Sequence, residues 1–216
     1  MSGEHDHDRQ ERLRLAVLLS GSGRSLENLL NVIERGELDA EIVAVVSSKS
    51  DVRGLEIAGN AGIPASTFVR RDVASDEAYS AAVLGWVEQF RPHLLIFAGY
   101  LRKLIVPPRW DRRILNIHPA LLPESGAGGK GYYGNRVHAA VLASGATKSG
   151  ATVHIVDNEY DHGPVVMRAE VPVLPDDTPE RLSARVFAAE MALFPEAIRV
   201  YAAACPWLLQ TPAEGR

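Results

Sequence analysis

The chain has 216 residues, of which 46% are hydrophobic and 23% charged, and its formal net charge at pH 7 is -4. This composition is typical of a globular domain, and the weak negative charge provides no basic surface of the kind that binds nucleic acid or an anionic membrane. A single cysteine, Cys205, excludes an internal disulfide framework, and no apolar run approaches the roughly 20 residues of a membrane helix. We expect a cytoplasmic protein that binds small ligands.

The ends of the chain are polar. Residues 1–12 have no apolar core of the kind found in signal peptides, and they predict a disordered tail. His5 and His7 could bind a metal ion adventitiously, but a solvated tail is the favoured interpretation. We place one domain at 13–207 and a C-terminal tail at 208–216.

Short apolar runs alternate with helical patterns in the first half of the domain. Buried parallel strands are predicted at 13–20, 41–48, 93–100 and 113–119, where aliphatic residues are nearly continuous. Helices are predicted from Leu26, where apolar residues recur at helical spacing as far as a stop at Gly36, and at 53–61 and 76–90. The segment "GIPASTFV" between the last two predicts a short edge strand. This alternation is typical of a right-handed βαβ series.

The second half changes character. "ATVHIVD" and "PVVMRAEVPV" predict two further strands, and "TPERLSARVFAAEMALFPEAIRVYAA" predicts one long helix with Thr178 as its N-cap and Pro179 in its first turn. The predicted fold is therefore α/β: a doubly wound, mostly parallel, twisted sheet with a Rossmann-type N-terminal half, mixed C-terminal strands and a long C-terminal helix.

The turn "SGSGRSLENLL" follows the first strand. Its glycines let the backbone approach a ligand, and the N-terminus of the next helix favours an anion, so we expect a phosphate there. The turn is neither a Walker A motif nor a complete dinucleotide fingerprint, because Leu26 occupies the place of the third glycine. The second strand ends in Ser47, Ser48 and Lys49 instead of an acidic residue, which disfavours NAD. A purely structural turn is the alternative.

The strand "RILNIHP" ends in polar residues. Asn116 and His118 lie two positions apart, so they project from the same side of a strand, and Pro119 ends the ladder. Ligands of open α/β sheets bind beyond the carboxyl ends of the strands, which favours a functional pair over two satisfied polar residues in a core.

The loop "VDNEYDHGPV" places Asp157, Glu159 and Asp161 between two strands. A carboxylate close to a histidine stabilises the imidazolium and raises its pKa above about 6.5, which suits an acid catalyst. A solvated acidic turn is the alternative.

Together these motifs carry a family resemblance. "NIHPALLP" with a downstream "DHGPVV", "SGSGRSLENLL" near the start and "FAGYLRKL" between them resembles the folate-dependent phosphoribosylglycinamide formyltransferases over residues 14–204. The resemblance implies transfer of the formyl group of 10-formyltetrahydrofolate, a co-substrate, to the amine of glycinamide ribonucleotide in purine biosynthesis, with no metal. Methionyl-tRNA formyltransferases and formyltetrahydrofolate hydrolases are similar over this core, but each has an extra domain for which the length leaves no room.

The resemblance also assigns roles to residues. Asn116 and a protonated His118 oriented by Asp161 would stabilise the oxyanion. The backbone at Gly23, Arg24 and Ser25 would hold the ribonucleotide phosphate, and Glu190 its ribose. The folate-binding set comprises Asp76, Leu101, Arg102, Lys103, Leu104, Asn116 and Asp157. Residues 13–112 become a phosphate-binding half and residues 113–207 a catalytic and folate-binding half of one formyltransferase domain.

Three departures from the family pattern stand out. The loop 124–134 is rich in glycine, and we expect a mobile flap. Asp76 stands where a basic residue near the folate tail is common, so that contact is either lost or supplied by Arg70, Arg71 or Lys103. Phe187 replaces a polar contact to the ribonucleotide.

Other functions remain open at this point. A non-catalytic phosphate- or nucleotide-binding α/β module, or another folate-dependent formyltransferase or hydrolase, is the alternative. We expect no nucleic acid or membrane partner, and either a monomer or a homodimer.

Overall fold

The computed structural model describes residues 12–210 of the chain. The strands are β1 (Leu13–Leu19), β2 (Ala40–Ser47), β3 (Ala65–Thr67), β4 (Leu94–Phe97), β5 (Ile114–His118), β6 (Lys148–Ile155) and β7 (Val165–Pro172). The helices are α1 (Arg24–Glu34), α2 (Arg53–Asn60), α3 (Asp76–Glu88), α4 (Asn135–Ala143) and α5 (Pro179–Ala204). Short 3-10 helices are found at Arg70–Asp72, Pro108–Trp110 and Pro206–Leu209.

The strands form one seven-stranded sheet in the order β3-β2-β1-β4-β5-β6-β7. The pairs from β3 to β5 are parallel, whereas β6 and β7 are antiparallel to their neighbours. Strand order reverses between β1 and β4, the place where open α/β sheets bind ligands. The predicted fold class is confirmed. The predicted division at residue 112 falls between β4 and β5, which pair directly, so the two halves share one sheet.

The sheet separates two hydrophobic cores. Leu15 and Val17 of β1 face a core that includes residues of α1, α4 and α5, whereas Ala16 and Leu18 face a core that includes residues of α3. Ile114 at the start of β5 belongs to the α3 side. Because side chains alternate along a strand, Asn116 and His118 lie on that same face of the sheet.

Local signals account for the ends of several elements. The Thr178 hydroxyl accepts a hydrogen bond from Arg181 N at 3.3 Å, so its predicted role as the N-cap of α5 is confirmed. α1 ends just before Gly36, which has φ of 72°, and β5 ends just before Pro119. Helix α4 was not predicted, because its short apolar pattern directly follows the glycine-rich loop.

The C-terminal boundary was predicted too early. Leu208 is 0% exposed, and the buried Arg113 guanidinium donates to the carbonyl oxygens of Trp207 and Leu208 at 3.3 and 3.1 Å. The folded part therefore continues past residue 207. The remaining parts of the predicted tails, with His5 and His7, lie outside the described residues. No helix within residues 12–210 is both long enough and apolar enough to cross a membrane.

The loop after β6 folds back across the sheet. Ile155 pairs with Leu115, so the loop begins beside the start of β5, yet it returns far enough to bring Asp161 to Asn116 and His118. Gly163 closes this loop against the Ile155 carbonyl oxygen, which a Cβ at Gly163 would approach to 1.9 Å. The close approach requires glycine at this position.

We expect Gly163→Ala to lower the free energy of unfolding by about 1 to 3 kcal/mol, because the new methyl group forces the backbone apart. Gly85→Ala in the exposed part of α3 is the matched control. Nothing lies within 4 Å of its added Cβ, and alanine should raise stability there by about 0.5 to 1 kcal/mol. Urea denaturation of the parent and both variants measures these changes. A Gly163→Ala protein as stable as the parent would contradict the packing argument.

Candidate active site

A cavity of about 650 Å³ opens at the carboxyl ends of the central strands. It is lined by the Ser20–Ser25 turn, the ends of β4 and β5, the glycine-rich loop, Asp161 and α5. A smaller cavity of about 60 Å³ lies beside it, and both cavities include Asn116, Tyr160 and Asp161 in their walls. A large cleft with convergent polar groups is the default location of an active site.

Asp161 is the point where the polar groups of this site meet. Its Oδ1 lies 3.4 Å from Asn116 Nδ2 and 3.6 Å from His154 Nε2. Its Oδ2 accepts a hydrogen bond from Gly129 N at 2.8 Å and lies 3.5 Å from His118 Nδ1. The sequence-predicted trio of Asn116, His118 and Asp161 is therefore brought together.

Strand geometry explains this convergence. Asn116 and His118 share a face of β5, and the antiparallel register places His154 of β6 directly opposite Asn116. Asp161 adopts φ of 54°, an uncommon conformation for a residue other than glycine, within the loop that folds back over this face.

The environment of His118 differs from our expectation. Its side chain is 5% exposed, and burial lowers its pKa below the usual value, although the Asp161 charge and the hydrogen bond to the Ala127 carbonyl act in the opposite direction. The prediction that Asp161 raises the pKa of His118 above its usual value is therefore wrong in its net direction. The contribution of Asp161 has the expected sign, but desolvation of the imidazolium outweighs it.

His118 and Asp161 also bind the main chain of the glycine-rich loop. His118 Nε2 lies 2.8 Å from the Ala127 carbonyl oxygen, which can only accept, so this nitrogen carries the hydrogen. For Asp161, burial alone would raise the pKa, but the His154 and His118 imidazoles and the Gly129 N-H lower it overall. Asp161 is therefore held as a carboxylate.

The predicted phosphate-binding turn has the geometry of an anion site. Gly23 adopts φ of 70°, and a Cβ there would lie 2.6 Å from Gly54 Cα, so only glycine fits. Gly23 is the N-cap of α1 and has no side chain to bind the first N-H groups of the helix. Arg24 and Ser25, which carry the first of these N-H groups, line the larger cavity.

Glu190 of α5 lies at the same end of the cavity. It is 9% exposed, and burial raises its pKa to about 7 while the charge on Arg24 opposes this shift. The Arg24 guanidinium lies 3.7 Å from the centre of the Phe187 ring. Phe187, for which we expected the loss of a polar contact to the ribonucleotide, acts as a platform for the Arg24 guanidinium.

The predicted folate-binding residues are spread over the two cavities. Arg102 and Asn116 line both cavities, Lys103, Leu104 and Asp157 line the smaller one, and Leu101 lines the larger one. Asp76 lines neither cavity.

The cations proposed to replace a basic residue at Asp76 differ in their availability. Asp76 forms an ion pair with Arg70, whose guanidinium also donates to the Val73 carbonyl at 2.8 Å. Arg71 lies 3.7 Å from Asp72. Of the three candidates, Lys103 alone lines either of these two cavities.

Two buried histidines of the site were missed from the sequence. His154 pairs across the strands with Asn116, and His138 of α4 lines the larger cavity with a buried Nδ1 that has no hydrogen-bond partner among the described residues. His154 stands inside the quoted segment "ATVHIVD", but only the register between β5 and β6 reveals its partner. Within residues 12–210, no group of three or more His, Cys, Asp or Glu side chains is arranged to hold a metal ion.

Comparisons with known proteins identify the family of this chain. A family model described as "Formyl transferase" matches residues 13–198. Phosphoribosylglycinamide formyltransferase, chloroplastic, of Vigna unguiculata is 38% identical over 205 residues, which cover 90% of this chain and 64% of that protein. The chain thus spans just under two thirds of the length of this relative. The phosphoribosylglycinamide formyltransferase of Haemophilus influenzae is 33% identical over 190 residues, covering 86% of this chain and 85% of the relative.

A solved structure is also similar. Glycinamide ribonucleotide transformylase 1 from Symbiobacterium toebii superposes with a TM-score of 0.84 at 35% identity, and the match covers 94% of each chain.

The first prediction from the site concerns the pKa of His118. Because the Asp161 charge raises this pKa against the effect of burial, Asp161→Asn should lower it further. NMR titration of the His118 imidazole, assigned by comparison with His118→Gln, measures the change. An unchanged or higher pKa in Asp161→Asn would remove the electrostatic role of Asp161.

The second concerns the pH dependence of stability. The folded-state pKa of Glu190 is about 7 and the ordinary value is 4.5. The protonated Glu190 side chain therefore stabilises the folded state fully below about pH 4.5, and this stabilisation is lost as the pH rises through about 7. Relative to Glu190→Gln, the parent should lose about 3 kcal/mol of unfolding free energy between about pH 4.5 and about pH 9. Urea denaturation across this range tests the difference. Parallel stability curves for the two proteins would show that the pKa of Glu190 is ordinary.

Proposed function

Because the chain belongs to the formyl transferase family, we propose that it transfers the formyl group of 10-formyltetrahydrofolate to the amine of glycinamide ribonucleotide. The observation that carries this proposal is the convergence of Asn116, His118 and Asp161 between the anion-binding turn and the smaller cavity. A module that only binds phosphate has no use for an amide, an imidazole and a carboxylate at this place. The product would serve purine biosynthesis.

The ribonucleotide would bind in the larger cavity. Its phosphate would accept hydrogen bonds from the N-H groups of Arg24 and Ser25 at the start of α1, where the helix dipole also favours an anion. Glu190 would accept hydrogen bonds from the ribose hydroxyls. These contacts would direct the amine of the substrate toward Asn116 and His118.

The folate would approach from the side of the smaller cavity. The walls formed by Leu104 and the 157–161 loop suit the flat pteridine ring, whose polar edge main-chain groups could bind. Lys103 would remain available for the carboxylates of the folate tail. The formyl carbon would then lie beside Asn116 and His118, where the two cavities meet.

The reaction requires donors for a developing charge. The substrate amine attacks the formyl carbon, a C-N bond forms, and the formyl oxygen becomes an oxyanion in the tetrahedral intermediate. Preorganised hydrogen-bond donors at such an oxygen commonly contribute about 100-fold or more to the rate. Asn116 Nδ2-H and His118 Nε2-H are the donors that we assign.

The lowered pKa of His118 changes the expected order of events. Burial makes the protonated imidazole less favourable before the reaction, and negative charge on the formyl oxygen would add to that of Asp161 and favour protonation as the intermediate forms. As the intermediate collapses, the formyl C=O bond re-forms and the bond between the formyl carbon and the folate nitrogen breaks. The proton lost by the amine would reach that leaving nitrogen through His118 or through a water molecule held by Asp161.

The glycine-rich loop has to respond to the substrate. The Ala127 carbonyl already accepts the His118 Nε2 hydrogen at 2.8 Å. The formyl oxygen would replace this carbonyl as the acceptor, so productive binding would displace the loop around Ala127. Its role as a mobile flap stays a prediction, as do the cytoplasmic location and the oligomeric state.

Purified protein mixed with glycinamide ribonucleotide and 10-formyltetrahydrofolate should produce tetrahydrofolate, which the change in folate absorbance follows. His118→Ala and Asp161→Ala should reduce the rate by about 100-fold or more, because each removes part of the oxyanion stabilisation or proton transfer. Gly85→Ala, which is remote from both cavities, should retain the parent rate and serves as the control.

Three results would contradict the proposal. No transfer by the parent protein would exclude the assigned substrates. An equal rate of folate conversion without the ribonucleotide would indicate a hydrolase. Full activity of His118→Ala and Asp161→Ala would exclude the assigned mechanism while leaving the substrates in place.

A further inference from the structure

We propose that His154 is a positioning residue that fixes the orientation of the Asn116 side-chain amide, so that an N-H group and not the carbonyl oxygen faces the developing oxyanion. This inference rests on the proposed function for its catalytic consequence. The orientation itself is a property of the protein alone, and it can be tested without substrate.

The hydrogen bonds of His154 define its tautomer. The imidazole is 2% exposed, and its Nδ1 lies 2.9 Å from the Ile155 carbonyl oxygen. A carbonyl oxygen can only accept, so Nδ1 carries a hydrogen. With the hydrogen on Nδ1, Nε2 presents a lone pair toward Asn116. Asp161 Oδ1 lies 3.6 Å from the same Nε2, which is too long for a hydrogen bond.

The Asn116 side-chain amide donates a hydrogen bond to this lone pair. Its Nδ2 lies 3.0 Å from His154 Nε2, so one N-H donates to the imidazole. The second N-H of the same nitrogen points toward Asp161 Oδ1, 3.4 Å away, a long contact. This second hydrogen is the one available to a stronger acceptor, such as the charged formyl oxygen.

The opposite orientation of the Asn116 amide is unfavourable with respect to both His154 and Asp161. Its carbonyl oxygen would lie against the His154 lone pair and against the Asp161 carboxylate, which are both acceptors. Such an arrangement leaves buried acceptors unsatisfied and brings partial negative charges together. His154 and Asp161 therefore select the same orientation from two directions.

Strand register makes this selection possible. Asn116 and His154 are direct cross-strand partners in the antiparallel pair of β5 and β6, so their side chains project from the same face at short range. Asn116 by itself has no means of distinguishing its two amide orientations, because its oxygen and nitrogen have nearly the same size.

A matched pair of variants separates the hydrogen bond from the packing. Glutamine at position 154 offers a carbonyl oxygen at about the place of Nε2, whereas methionine has a similar length and only a weak acceptor. We expect His154→Met to lower kcat about 10- to 100-fold with KM values within about twofold of the parent, because one oxyanion donor loses its orientation. His154→Gln should recover most of the loss.

NMR supplies a readout that does not depend on catalysis. With nitrogen-15 labelling, the His154 ring should show the neutral Nδ1-H tautomer, and a coupling across the hydrogen bond should connect Asn116 Nδ2 with His154 Nε2. A hydrogen on Nε2 at neutral pH, or no such coupling, would overturn the proposed orientation even if the enzyme transfers formyl groups.

The kinetic results also distinguish a hydrogen-bonding role of His154 from a packing role. Equal kcat in His154→Met and His154→Gln, with thermal unfolding confirming that both are folded, would show that the imidazole acts through packing alone, and would overturn the inference. Absence of transfer by the parent protein would instead refute the proposed function, and the NMR result would then decide the orientation of the amide.

Discussion

The carboxylate of Asp161 is the constraint on which the arrangement of the site depends. Its two oxygens contact groups from β5, β6 and the glycine-rich loop, so segments far apart in the chain share one charge. The two imidazoles and the Gly129 N-H lower the pKa of Asp161 overall, although its burial acts in the opposite direction. The position of the carboxylate in turn depends on the loop after β6, which returns over the sheet and closes at Gly163.

Much of this arrangement follows from the sequence, because it rests on periodicity. The alternation of strands and helices, the shared face of Asn116 and His118, and the turn at Gly23 are local patterns. Properties that depend on burial or on strand register could not be predicted from the sequence. The net pKa shift of His118 depends on how much water the fold removes, and the pairing of His154 with Asn116 depends on an antiparallel register across 38 residues. Helix α4 was missed because its apolar pattern is short.

The buried carboxylates at the two ends of the larger cavity lie in different electrostatic environments. Around Asp161, donors compensate a buried carboxylate and keep it ionised. Around Glu190, burial dominates, and the charge of Arg24 compensates only in part. Phe187 holds the Arg24 guanidinium against an aromatic face instead of against an anion, so an apolar residue takes part in an electrostatic arrangement.

The glycine-rich loop touches His118 and Asp161 through its main chain, by the carbonyl of Ala127 and the N-H of Gly129. Main-chain groups are present whichever side chain a residue carries, so these two contacts depend on the path of the loop. That path restricts the residues, because Gly126, Gly129, Gly131 and Gly134 have φ between 55° and 100°, a conformation that residues with a side chain rarely adopt. A Cβ at Gly128 would also lie 2.5 Å from Leu122 Cδ2. A loop that contributes only its main chain to the centre therefore still depends on its glycines, which allow the backbone to reach the two side chains.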